Sequence, residues 1–157
     1  MSDSLGTYLH DHLAGSNFAV ELLEFLRDQH SGEALGASAA ALLEEIEQDR
    51  ETLQEIIGRV DSGAPLMKEA AAWVSEKLSE WKLGRGAFGT FEALEALALG
   101  ILGKLALWQA LETIADADIR LRGVDFSQLA ARAKRQHSQA EQLRLEWAPA
   151  AFAPAQE

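Results

Sequence analysis

The first proline of this chain stands at position 65, and the other two, at 149 and 154, lie near its end. Proline removes a helical N–H and clashes with the preceding turn, so long stretches are free of the strongest helix breaker. Ala, Leu, Glu and Gln dominate and valines are few, a composition that favours helix over strand. Apolar residues recur at three- and four-residue steps, the period of an amphipathic helix.

Five helices are predicted. The first covers about residues 5 to 28, with Leu9, Leu13, Val20 and Leu23 on its stripe, widened by Phe18, Leu22, Phe25 and Leu26. The turn-forming QHSGEALG ends it. The second covers about 33 to 60, with Leu42, Ile46, Asp49, Leu53, Ile56 and Val60 in line. DSGAP then breaks the chain, and Pro65 suits the first turn of a shorter third helix reaching about residue 82, with Leu66, Ala70, Trp73, Val74, Leu78 and Trp81 on one face. GRGAFG at 84 to 89 reads as a connection. Thr90 is the expected cap of a fourth helix running to about 119. Asp125 to Gln128 reads as an N-terminal cap for the fifth, with Val124 and Leu129 as a hydrophobic staple. That helix carries Phe126, Ala133, Ala140, Leu143 and Trp147, and Pro149 is expected to close it.

The expectation is an all-α chain with one helical domain at 1–148 and a flexible tail at 149–157. Four helices exceed twenty residues, so each spans roughly 30 to 40 Å at the helical rise. The first pair is joined by a short loop and should be antiparallel, as should the last pair. The longer crossover between the two hairpins contains the third helix. This is one of the standard connectivities of four-helix bundles.

Charge and composition narrow the partners. The formal net charge of −11 repels phosphate backbones, so no nucleic-acid partner is expected. Arg120, Arg122, Arg132, Lys134, Arg135 and Arg144 form a local basic exception, read as a solvated helix face. The chain has no cysteine, which excludes disulfides, thiol catalysis and thiolate metal sites. MSDSLGTYLHDHLAG lacks the pattern of a signal peptide. The longest uncharged apolar run, Ala96 to Gly103, stops at Lys104 before reaching membrane-spanning length. These features point to a cytoplasmic protein without a membrane partner.

Chemistry is sought where polar residues break an apolar stripe, and such residues gather at mid-helix. The candidates are His12 on the first helix, Glu45, Gln48 and Asp49 on the second, Lys104 on the fourth, and Gln136 and His137 on the fifth. If the hairpins pack in register, they form one polar layer inside the bundle. Lys104 sits in LALGILGKLALWQAL with no acid at 100, 101, 107 or 108 to pair with it on its own helix. Two readings stay open. Its stem lies on apolar surface with the ammonium in water, or it is buried against Asp49 or Glu45, because an unpaired buried ammonium costs several kcal/mol. Asp49 is likewise either on the core stripe or turned to solvent beside Arg50. His10 and His12 are two apart and point away from each other. The four tryptophans, at 73, 81, 108 and 147, read as packing residues.

Two hairpins with a crossover, carrying LLEEIEQDRETLQEII on the second helix and AKRQHSQAEQLRLE on the last, resemble the ferritin-like superfamily over about residues 5 to 147. In metal-binding members, two bundle helices each supply a Glu and the other two each supply Glu-x-x-His to a di-iron or di-manganese centre. In this chain the matching positions hold His12 and Gly100 in place of the single Glu residues. Glu45 and Gln48 stand for one Glu-x-x-His, and Gln136 and Gln139 for the other. Glu45 alone keeps the family residue, and no Glu-x-x-His occurs anywhere in the sequence. The resemblance therefore implies a member that has lost its di-iron ligands, with no metal and no cofactor.

The resulting expectation is a non-catalytic helical protein that acts through self-association or binding. The partner is a second copy, docked through apolar helix faces such as that of Leu99, Leu102 and Ala106, with Gly100 and Gly103 permitting close approach. The alternative is an iron- or manganese-binding oxidoreductase or store using His12, Glu45, Asp49 and His137. A small-ligand carrier with a pocket beside the crossover is a third reading. No Ser/His/acid grouping is visible and the single Tyr8 lies near the N-terminus, so no catalytic residue is assigned.

Overall fold

The computed structural model describes residues 3–61 and 86–156. The expected helix at about 65 to 82, with Trp73 and Trp81, and the first part of GRGAFG lie outside the described residues. Among the described residues there are four long α-helices, one short 3-10 turn and no strand.

Helix α1, Ser4–Gln29, is capped by Asp3, whose carboxylate accepts from the Leu5 N–H at 3.1 Å. Leu9, Leu13, Val20, Leu22, Leu23 and Leu26 form its buried face. The chain reverses through Gly32, whose φ of 83° is a left-handed conformation that glycine adopts without strain. Helix α2, Ala34–Val60, follows at once and buries Leu42, Ile46, Asp49, Leu53 and Ile56. Gly36 makes the tight reversal possible, since a Cβ there would stand 2.1 Å from the His30 carbonyl oxygen. The two helices run antiparallel: His10 meets Asp61 at 3.3 Å at one end, and Asn17 accepts from Arg50 at 3.3 Å further along.

Helix α3, Gly86–Ile114, is apolar nearly all round and buries Leu94, Leu97, Ile101, Leu107, Trp108 and Leu111. It is long and apolar enough to cross a membrane by length and composition alone. It begins a turn before Thr90, which is not its cap. The Thr90 hydroxyl lies buried inside the helix, 3.1 Å from His30 Nε2, and is engaged there. The helix also stops earlier than 119. The 3-10 turn Ile119–Leu121, capped by Asp118 and anchored by buried Leu121, occupies that ground. Gly123, at φ 85°, turns the chain into helix α4, Phe126–Ala151. Asp125 caps α4 by accepting from the Gln128 N–H at 3.0 Å, and Val124 and Leu129 both pack on the core. Pro149 does not close α4, which continues through it to Ala151. A proline in the last turn forfeits little there, because the carbonyl it leaves unpaired belongs to exposed Leu145. Phe152 then sets its ring edge-on to Phe91 at 5.1 Å.

α3 and α4 are also antiparallel, since Arg144 stands over the Phe91 ring while Trp108 meets Phe126 at 6.1 Å. α1 joins the two hairpins. His30 at its end reaches Thr90, and Asp3 at its start accepts from Arg120 at 2.6 Å. α2 therefore runs in the same direction as α3 and opposite to α4. One continuous core of leucine, isoleucine and alanine connects all four helices.

Candidate functional site

Mid-way along the helices the apolar core gives way to a layer of polar side chains centred on Asp49, which is 1% exposed. Asp49 lies on the Leu42–Ile46–Leu53–Ile56 stripe, so the helical period carries its carboxylate inward with the leucines. Lys104 enters from α3 and its ammonium donates to Asp49 Oδ2 at 2.6 Å. The same ammonium donates to Gln136 Oε1. Gln136, fully buried on α4, donates through Nε2 to Glu45 Oε2 at 2.9 Å and to Asp49 Oδ2 at 3.3 Å. Arg132, one turn before Gln136, donates through Nε to Asp49 Oδ1 at 3.1 Å and through a terminal N–H to the same oxygen. Its Nη1 donates to Gln48 Oε1 at 3.2 Å.

Two cations, Lys104 and Arg132, thus face two carboxylates, Asp49 and Glu45, with both oxygens of Asp49 accepting hydrogen bonds. An ion pair this deep persists only if its hydrogen bonds are satisfied, because the interior returns little of the hydration each charge loses. Burial holds the Lys104 ammonium below its ordinary pKa of 10.5, and the charge of Asp49 beside it acts in the opposite direction.

Of the residues singled out by sequence, the structure brings Lys104, Asp49, Glu45, Gln48 and Gln136 together. Gln48 is exposed and contributes only at the rim. His12 does not join the hydrogen-bonded layer. It stands across a cavity from Lys104, edge-on to Tyr8 at 4.6 Å, and burial lowers its pKa from 6.5. His137 is outside the layer: it is half-buried with Nε2 3.9 Å from Glu141 Oε1, because its place after Gln136 turns it off the buried face. Gln139 is exposed in a surface groove with Trp147 and the start of α2. Gly100 is exposed, and Gly100 and Gly103 would each admit a Cβ with no atom within 4 Å. These glycines therefore give no close approach within the described fold.

Arg132 is the member that sequence reading missed. It was hidden among basic neighbours, Lys134 and Arg135, which are exposed. The signal was its position four residues before Gln136, on the same helix face. His30, which ties α1 to Thr90, to Glu33 at 2.9 Å and to the Trp147 ring at 4.9 Å, was missed as well.

The donor set does not fit a dinuclear metal centre. Such a centre needs several carboxylate oxygens free to bind metal, with imidazoles beside them. Both Asp49 oxygens are instead engaged by N–H groups, and two cations stand next to them. Among the described residues no three His, Asp or Glu side chains are grouped to hold a metal ion. Comparison of the chain with family models, with curated proteins and with solved structures finds no match.

Proposed function

We propose that this chain is a ferritin-like helical bundle whose mid-bundle metal position has become an ion-pair layer, and that it acts without catalysis, through self-association and binding. The observation that carries the reading is the closed set of hydrogen bonds around Asp49, in which Lys104 and Arg132 take the place that metal ions would hold. The directions of the helices support the ferritin-like part, with two antiparallel hairpins and α2 parallel to α3. The exposed Leu99 and Leu102 on α3 support self-association.

A layer neutralised from within has no electrostatic need of a cation. Protein purified without a histidine tag, incubated with ferrous iron or with manganese and then desalted, is expected to retain far less than one equivalent of either metal. Stoichiometric retention that is lost in Glu45→Gln would overturn the proposal in favour of a metalloprotein. The structure of Lys104→Met is a second check: Asp49 should keep its contact with Arg132, with no metal entering.

A further inference from the structure

Between α1, α2 and α3, next to the ion-pair layer, lies a cavity of about 180 Å³. Its floor and walls are buried and apolar, among them Ile46, Leu53, Ile101, Leu107 and Trp108. Exposed Asp11, Gly15 and Gly100 stand at its mouth. Glycine within a helix costs about 1 kcal/mol relative to alanine. Gly15, Gly100 and Gly103 all line this space, and a Cβ on any of them would meet no atom within 4 Å. No packing contact requires them to be glycine. Their common effect is to leave an opening.

At the polar end stands Lys104. An ammonium has three N–H donors, and those of Lys104 reach two acceptors, Asp49 and Gln136. The third has no acceptor among the described residues. Trp108, in the wall, also keeps its indole Nε1 buried without a hydrogen-bond partner among them. Cavities of about 150 Å³ accept a benzene-sized guest, so this one accommodates a compact molecule of on the order of ten non-hydrogen atoms.

We infer that this cavity is a binding site for a small neutral molecule with a compact apolar ring and one carbonyl acceptor, the ring against Ile101, Leu107 and Trp108 and the acceptor on Lys104. Neutrality follows from the charges already present. Lys104 is balanced by Asp49, and Asp11 at the mouth adds another negative charge, so an entering carboxylate would meet repulsion without an unneutralised cation. Asp49 offers no further acceptor capacity to a cationic guest, since both its oxygens are engaged. The site names a ligand for the binding half of the proposed function, and it depends neither on self-association nor on the ferritin-like reading.

The test uses the full chain, titrated with acetophenone, toluene and benzoate and followed by amide and indole chemical shifts. Acetophenone is expected to bind saturably, with shifts concentrated at Gly100, Gly103 and the Trp108 indole. One hydrogen bond from a charged donor should make it bind about tenfold tighter than toluene, and benzoate should bind more weakly than acetophenone. Gly103→Leu, which fills open space, should abolish binding while leaving the helical circular dichroism unchanged. Lys104→Met should reduce acetophenone to the affinity of toluene. If Lys104→Met fails to fold, the Gly103→Leu result and the comparison of acetophenone with toluene decide the matter. The inference is overturned if no probe saturates, if acetophenone and toluene bind equally, if benzoate binds best, or if Gly103→Leu leaves binding intact. Metal retention and sedimentation report separately on the proposed function, so failure of one reading is distinguishable from failure of the other.

Discussion

Asp49 holds two cations at once, and that asymmetry decides what each substitution in the layer should do. Removing its charge leaves Lys104 and Arg132 with Glu45 as their one remaining counter-ion in the layer, and breaking a buried pair in this way costs about 3–5 kcal/mol. Asp49→Asn should therefore lower the free energy of unfolding by that amount in a urea titration. Lys104→Met should cost less than Asp49→Asn, because Asp49 keeps Arg132 and Gln136 as donors. Equal losses in the two variants would show that Arg132 does not share the carboxylate. His12 predicts a pH effect. Burial lowers its pKa from 6.5, so on acidification the unfolded chain takes up the proton first. Its contribution is complete above about pH 6.5 and fades as the pH falls toward the lowered value. Between about pH 8 and pH 5 the wild type should thus lose stability relative to His12→Gln; a constant difference between the two would refute the assignment. The sequence made Lys104 conspicuous because a lone ammonium in an apolar helix needs a partner from elsewhere. Asp49 was visible from its phase in the leucine stripe. Arg132 was not, since whether an arginine turns in or out is decided by what the neighbouring helix offers it. Gly100 was placed by family pattern alone and His12 by that pattern together with its break in the apolar stripe, and neither signal reports the cavity that both residues line.

Among the elements, the bodies of the helices were legible and their ends were not. The three- and four-residue steps of α1 and α2 reappear as buried faces because apolar burial, repeated over seven turns, outweighs any single local preference. An end rests on one or two groups. Thr90 has the chemistry of a cap, but its hydroxyl is taken by His30, sixty residues away, and no local signal reports that contact. Pro149 has the chemistry of a terminator, yet the exposed last turn tolerates it. The α1–α2 reversal shows the same dependence on a distant atom and yields a prediction of opposite signs within one helix. Gly36→Ala would place its methyl 2.1 Å from the His30 carbonyl oxygen, against backbone that cannot move aside without opening the hairpin. It should cost about 2 kcal/mol or more. Gly58→Ala, in the same helix with no atom within 4 Å of the added Cβ, should stabilise by about 0.5–1 kcal/mol. Thermal or urea midpoints that move in the same direction for both variants would contradict this account of the turn.

For the whole molecule, charge and apolar surface work against each other. Each copy carries a formal −11, so two copies repel at long range. Against that stands the outward face of α3, where Leu99 is 64% and Leu102 42% exposed, with Ala106 one turn on. These residues are three and four apart and share a face, and between Ala96 and Ala110 the only charge is Lys104, which is turned inward to Asp49. A second copy related by a two-fold axis would lay the same strip against itself, the commonest closed arrangement for a self-complementary patch. The attraction is then short-ranged and apolar while the opposition is long-ranged and screened by salt, so the dimer should tighten as ionic strength rises. This is the reverse of the behaviour of an interface held by opposite charges. Sedimentation equilibrium of the wild type should show a dimer whose dissociation constant falls between low salt and about 0.5 M salt, where the screening length is only a few ångströms. Leu99→Gln combined with Leu102→Gln should give a monomer at the same concentrations, with little change in thermal midpoint because neither side chain is buried in the single copy. A wild type that stays monomeric throughout, or a double variant that still pairs, would remove α3 as the docking face.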